Sequence, residues 1–413
     1  MSVITSSSIN YANNSIYQRW FSLIFFISGI SIGLITWGNG SGVGQLGLLL
    51  LLPFFWGLAS SRLSASILVL GYFLASARGL PGGTAVFFGA GAPSWVGFVF
   101  WFFACIFLSL PFVVLWSASM GVRPWRFVLA VCVSIVPPLG LIGWVNPISA
   151  AGVYFPGLGW LGLMLILGLM AALITRHAKW IFGLGLIALI ANLISLAVDV
   201  RVPTGWQSMD TQFSGLSSAG GNDAGQILAG MKRVEWVKQY AESIPANCVR
   251  VLPETVLGSY SGVSEFALME VNESLAARGS RLLVGAELPK SDGRYLNAVI
   301  VLGATGGDGL AAVQGVPVPV SMWKPWASDG AVANIFGHGG VVMVKNVRAG
   351  VLVCYEQLLS YSVLRMMLER PSVIVGAANV WWVKDPSIPA IQGQMLGVFG
   401  RLFGVGVMRA VNY

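Results

Sequence analysis

The stretch AGVLVCYEQ, residues 349–357, decides the fold. Its apolar part, Ala349 to Cys354, is too short for a core helix and reads as a strand buried on both faces. The run ends at a cysteine, Tyr355 and Glu356 follow, and helical patterning starts at about Leu358. Open α/β sheets place their chemistry at the carboxyl ends of strands, where the chain turns into a helix. A thiolate there gains from the helix dipole and has a lowered pKa, and an adjacent carboxylate can serve as its base. A free cysteine is more often a buried hydrophobe, which is how Cys248 before VRVLPE reads. The functional reading of Cys354 therefore depends on its partners.

Outward from this stretch the texture is that of an α/β domain. Further β-rich runs lie at Val249–Leu252, Arg281–Gly285, Ala298–Leu302, Val341–Val344 and Ser372–Ala378. Helical patterns separate them at about Asp223–Ser243, Ser264–Arg278 and Leu358–Glu369, and the Ser/Gly-rich segment Thr211–Gly221 reads as a loop. Residues 199–413 are enough for one domain with a buried core.

The first half is different. Residues 1–198 contain no Asp or Glu, so all 16 acids lie beyond them, and seven of the 24 bases account for most of the net +8. With 56% hydrophobic residues and 10% charged, the chain reads as an integral membrane protein. Apolar stretches able to cross ~30 Å of hydrocarbon fall at about 20–37, 43–60, 63–82, 95–118, 125–145, 157–175 and 179–198. These predict a multi-span α-helical membrane bundle of about seven spans over 20–198, with Pro137–Pro138 kinking the fifth.

Arg19, Arg62, Arg123, Arg126, Arg176 and Lys179 fall on one side of that bundle, opposite the uncharged loops at 38–42 and 146–156 and against Arg78 alone. The positive-inside rule then puts segment 1–19 in the cytoplasm and 199–413 in the periplasm of a bacterial inner membrane. The polar first twenty residues lack the charged n-region and cleavage site of a signal peptide. Bases scattered in short loops argue against a nucleic-acid partner. Cys105, Cys132, Cys248 and Cys354 form no spaced pattern, and His177 and His338 are isolated, so neither disulfide framework, metal site nor cofactor is implied.

Two further residues qualify as partners. Glu254 in VLPET follows an apolar run, although a lone glutamate there is more often an exposed loop residue. Lys324, between Trp323 and Trp326, is placed either to make a cation–π contact or to stabilise an oxyanion.

In their order and flanking residues, PE at 253–254, WK at 323–324 and CYE at 354–356, these three segments resemble the nitrilase (carbon–nitrogen hydrolase) superfamily. GWQSMDTQF at 205–213 looks like that superfamily's first strand, and Asn379, Trp381 and RAVN at 409–412 are also consistent. The resemblance implies an αββα sandwich over 199–413, with Glu254 as general base, Lys324 as oxyanion stabiliser and Cys354 as a thioester-forming nucleophile. Tyr355 would lend its backbone N–H and Glu356 a supporting carboxylate.

Following membrane spans, such a domain is similar to apolipoprotein N-acyltransferase, and the plasmid-borne conjugal-transfer TraB proteins share the layout. The implied partners are a phospholipid acyl donor in the membrane lipid and an amine acceptor such as a lipoprotein N-terminus. An amidase or a non-catalytic scaffold are the other readings. Two departures stand out. Lys324 is followed by PWASDGAVANIFG, without the glutamate the acyltransferases carry there, and Asp329 is a weak substitute. The acyltransferases also continue past R-A-x-N to a last transmembrane helix, whereas this sequence stops at Tyr413, so the expectation is either a domain tethered at one end or a shortened relative.

Overall fold

The structure, a computed structural model, describes all residues except 1–5, 39, 41, 88–92, 94, 214–223 and 384–386. Most of the Ser/Gly-rich loop at 211–221 lies outside the described residues.

Among the described residues every strand lies beyond residue 205, and the strands form two sheets. The first runs β1 (Trp206–Ser208), β2 (Val249–Val251), β3 (Arg281–Pro289), β4 (Tyr295–Leu302) and β5 (Ala311–Val313), in that spatial order. The second runs β6 (Val341–Val344), β7 (Val347–Val353), β8 (Val373–Asn379) and β9 (Gly406–Asn412). β1, β2 and β3 are parallel, as are β7, β8 and β9, while β3–β4, β4–β5 and β6–β7 are antiparallel.

Side-chain alternation sorts the core into layers. Leu283, Val299 and Val301 of the first sheet pack against Val351, Val353, Val375 and Met408 of the second, which makes the two sheets a sandwich. On the outer face of the first sheet, Leu282, Val284 and Ile300 meet Val237, Val271 and Leu275 from helices Ala224–Glu242 and Met269–Ala277. On the outer face of the second, Leu352 and Ile374 meet helices Ser360–Leu368 and Ser387–Phe403. The layer order is α-β-β-α.

The last helical layer does not end at solvent. Ile391, Met395, Phe399 and Leu402 belong to one continuous core with Trp37, Leu52, Trp56, Phe127 and Phe155 of the N-terminal helices. Loops fasten the two halves together. Gln394 Nε2 donates to the carbonyls of Gly38 (3.3 Å) and Gly40 (2.9 Å), Arg401 Nε to Gly152 O (3.3 Å), and Tyr355 Oη to Leu141 O (2.9 Å).

Among the described residues two helices, Trp95–Val114 and Ala178–Ala197, are long and apolar enough to cross a membrane. The pair Pro147–Tyr154 and Gly159–Thr175, bent by 115°, makes a third if read as one span. Further apolar helical stretches are Ser22–Thr36, the latter part of helix Ser6–Thr36, together with Gly44–Leu58 and Arg62–Ser76. The stretch read as a kinked fifth span is instead a helix, Arg123–Ile135, that stops before Pro137–Pro138 and gives way to a short turn at Leu139–Leu141. A proline lacks the N–H that would continue the ladder. At one end of this helical half the buried Arg123 donates to the carbonyls of Gly57 (2.8 Å) and Ala59 (3.3 Å) and lies over the Trp116 ring, so the loops bearing Arg62 and Arg123 adjoin.

Candidate active site

The carboxyl ends of β2 and β7 converge between the sheets. β2 runs into Leu252–Pro253–Glu254, and β3 passes directly beneath. A Cβ on Gly285 would stand 2.4 Å from Glu254 Cα, so only glycine permits this approach. The Glu254 side chain is buried, and Asn297 Nδ2 on β4 donates to its Oε1 at 2.6 Å. Asn297 also donates to Gln314 Oε1 (2.9 Å), whose own Nε2 donates to Val353 O at 2.9 Å. A chain of amides thus spans the gap between the sheets, from the glutamate to the residue before the cysteine.

Cys354 directly follows β7 and begins a short 3₁₀ turn, Cys354–Leu358. Its φ of 45° lies in the left-handed region, which costs a non-glycine residue about 1–3 kcal/mol and persists only where surroundings enforce it. Here Gln392 Nε2 grips Cys354 O at 3.0 Å. The thiol donates to Asn379 O at 3.8 Å, and it lies close enough to the Glu254 carboxylate and the Tyr355 N–H for both to act on its titration. Burial, with the Glu254 charge beside it, holds the Cys354 thiol well above its ordinary pKa. Burial also pushes Glu254 up to about 7, against the pull of its hydrogen bonds from Asn297 and Cys354. The pair is arranged for proton transfer, not for a resting thiolate. The helix-dipole activation expected from sequence is outweighed by desolvation.

Glu356 is a clasp. Its Oε1 accepts from the N–H groups of Gly315 (3.0 Å) and Val316 (3.1 Å), and its Oε2 from Val353 N–H (3.2 Å). It ties the turn bearing Cys354 to the start of the long segment between β5 and β6. Burial raises it to about 7, while the three amides and Arg365 pull down. Asn412 is a second fastener. It accepts from Thr211 Oγ1 (2.7 Å) and Phe213 N–H (2.7 Å) and donates to Asn379 Oδ1 (2.9 Å).

Of the expected trio, the structure brings Glu254 and Cys354 together and does not bring Lys324 to them. Lys324 Nζ pairs with Asp329 Oδ2 at 2.8 Å in a part-exposed stretch of the β5–β6 segment. Its charge is not among those acting on Glu254 or Cys354. The post-lysine aspartate thus engages the lysine itself.

A cavity of about 180 Å³ opens at Cys354. Its walls come from both halves of the chain: Leu80, Gly83, Phe100 and Ala104 from the N-terminal helices, and Val318, Tyr355, Leu358 and Trp382 from the sandwich. Trp382 lines this cavity, while Trp326 is 71% and Trp381 44% exposed. Sequence reading missed Asn297, Gln314 and Gln392. Asn297 was nonetheless marked, as a polar side chain within the apolar run of β4 on the face that alternation turns inward.

Fold and site together define a class: an α-β-β-α sandwich with a buried cysteine–glutamate pair, fused through one core to a helical half that contains helices of membrane-crossing length. No protein-family model matches the chain. A probable conjugal transfer protein TraB of Sinorhizobium fredii is 34% identical over 402 residues, spanning 94% of this chain and 97% of that protein. The conjugal transfer protein TraB of Agrobacterium fabrum is 30% identical over 415 residues, spanning 96% and 94%. The chain belongs to the TraB family of conjugal transfer proteins.

Solved structures similar to it are carbon–nitrogen hydrolases. An amidase of the nitrilase superfamily from Nesterenkonia superposes with a TM-score of 0.34 at 13% identity, over 51% of this chain and 78% of that one. A carbon–nitrogen hydrolase from Helicobacter pylori gives 0.28 at 15%, over 42% and 59%.

Proposed function

We propose that this chain is a membrane-bound acyltransferase that draws an acyl group from phospholipid onto Cys354 and passes it to an amine. The observation that carries this reading is the cavity at Cys354, whose far wall is built by apolar helices of the N-terminal half. A hydrolase of small soluble amides has no use for such a wall; a lipid chain entering from a bilayer does.

In the first half-reaction Glu254 takes the thiol proton and the sulfur attacks the ester carbonyl. The oxyanion rests on Tyr355 N–H and on Lys324, once the β5–β6 segment releases it from Asp329. Apo geometry of this kind commonly tightens only around substrate. The C–O bond breaks, the lysophospholipid leaves with the proton from Glu254, and a thioester remains. In the second, an amine attacks the thioester, the C–S bond breaks, and the sulfur regains a proton through Glu254.

The loop contacts support an orientation. The uncharged loops near 38–42 and 146–156 meet the sandwich through Gln394 and Arg401. The Arg62 and Arg123 loops adjoin one another elsewhere. With basic loops held in the cytoplasm, a multi-pass helical half over 20–198 would carry the sandwich on the periplasmic face of the inner membrane. The names of the relatives suggest that the acceptor belongs to conjugal transfer. A second reading, a non-catalytic scaffold, is favoured by one observation, the engagement of Lys324 by Asp329.

The test is incubation of the purified, detergent-solubilised protein with phospholipid, followed by intact-mass and peptide mapping. A hydroxylamine-labile acyl adduct on Cys354 is expected. Its absence from well-folded protein overturns the acyltransferase reading in favour of the scaffold.

A further inference from the structure

The mechanism leaves unused one acidic group that neighbours Glu254. Glu287 lies on β3 two residues beyond Gly285, the glycine that underlies Glu254. Alternation along β3 turns Leu283, Gly285 and Glu287 to one face, and Leu283 identifies that face as the one between the sheets. The antiparallel register confirms it, since Leu283 pairs with Val301, Gly285 with Val299 and Glu287 with Asn297. Directly opposed residues on an antiparallel pair share a face, and Asn297 is the residue that donates to Glu254. Glu287 is therefore aimed at the same space as Glu254, at the open end of the rung, where it is only half-buried.

The chemistry of this placement is unusual. Burial and the Glu254 charge push Glu287 up to about 7, with no base among the causes. Among the described residues no Lys, Arg or His pairs with either carboxylate within 4.0 Å. Asn297 is committed to Glu254 and Gln314 and has no donor left for Glu287. Two acids on one face without a cation form a site that a cation completes. The wall of the same site on the Cys354 side is apolar and suits the acyl group.

Resting on the acyl-transfer reading, we infer that Glu287 is the acceptor-binding residue, holding the ammonium group of a primary amine beside the Cys354 thioester. The ammonium gives one proton to Glu287 and the freed amine attacks the thioester carbonyl. The C–N bond forms as the C–S bond breaks, and the second amine proton passes through Glu254 to the departing sulfur. Glu287 then releases its proton to water. A preference for cationic primary amines over neutral nucleophiles follows.

Two readouts on the full chain in detergent separate this inference from the reading beneath it. The first is equilibrium binding of radiolabelled glycinamide to the Cys354→Ser protein, which needs no acyl chemistry. Glu287→Gln is expected to weaken binding about tenfold or more, the scale of a lost charge-assisted hydrogen bond, and Glu287→Asp to retain part of it. Equal binding with and without Glu287→Gln, or no binding to the Cys354→Ser parent, overturns the inference. The second readout uses protein preloaded at Cys354 with an activated short-chain ester and chased with glycinamide or with hydroxylamine, which is uncharged at neutral pH. The ratio of the two rates within each variant cancels any effect on shared machinery, and Glu287→Gln is expected to lower it about tenfold. An unchanged ratio overturns the inference. Failure of Cys354 to load at all overturns acyl transfer while glycinamide binding still decides the role of Glu287.

Discussion

The two outer helical layers of the sandwich have opposite surroundings. Helix Ala224–Glu242, over the first sheet, buries Val237 and Ala241 and leaves Lys232, Glu235 and Gln239 outward. Helix Ser387–Phe403, over the second, buries Ile391, Gln392, Gln394, Met395 and Phe399, because the N-terminal helices cover its other side. The two halves of the site inherit this difference. Glu254 and Glu287 come from the sheet whose outer helices are uncovered, where Ile227, Leu228, Met231, Val263 and Phe266 stand exposed beside the polar residues, and Cys354 comes from the sheet sealed against the N-terminal helices. The nucleophile is presented from the covered side of the molecule and the acids from the open side.

The largest effect expected on this contrast is from Cys354→Ser, which should abolish the hydroxylamine-labile adduct while the melting temperature stays near that of the parent. Intact mass and thermal unfolding read both. Next is Glu254→Gln, expected to slow adduct formation by about 10²–10⁴. Because Glu254 acts as base only when ionised and burial holds it near 7, the parent rate should climb as pH rises through about 7, and the variant should lose that limb. A pH series of acylation rates decides it.

Lys324→Ala should slow acylation by about 10²–10³ if the lysine reaches the oxyanion in the loaded complex. An unchanged rate would leave the Asp329 pair as its whole role. On the apolar side, a Cβ at Gly83 would lie 2.5 Å from the Trp382 ring, so Gly83→Val should drive that ring into the cavity. Long-chain donors are then expected to lose about tenfold more than butyryl esters, since apolar area lost from a binding wall scales with the chain it covered. Smallest is Asp329→Asn, expected to raise acylation a few-fold by freeing Lys324, because an exposed ion pair holds its partner weakly.

How much of this could be read from the chain depends on how local each feature is. β7 with Cys354, β2 with Glu254 and β8 were legible because a strand buried on both faces is a continuous apolar run. Helix Ser387–Phe403 was not, since Pro389, Gly393, Gly397 and Gly400 give it poor propensity and burial on all sides erases its polar face. β1 and β5, three residues each, are too short to carry a period. The membrane stretches were legible as apolar segments; the structure interrupts one at Pro137–Pro138, and among the described residues two helices, or three with the bent pair, are long and apolar enough to cross a membrane. In the site, Lys324 could be named but not located, since its position is set by Asp329 in a segment without regular structure. Glu287 was open to a period-2 reading of β3, which places it with Leu283 and Gly285.

The fasteners between the halves also fix an order of events in folding. The N-terminal helices are joined across separations of up to about a hundred positions, Tyr72 to Val145 across 73 and Tyr154 to Gly47 across 107, but Tyr355 reaches Leu141 across 214, Thr211 reaches Asn412 across 201, and Gln394 reaches Gly38 across 356. Contacts of such separation form late and slowly, although the entropy of closing their loops grows only gently with length. The helices can therefore settle long before the left-handed turn at Cys354 is locked by Gln392 and Glu356. The thiol acquires its base only as one of the final steps of assembly, so a chain halted midway is a bundle without a reactive centre.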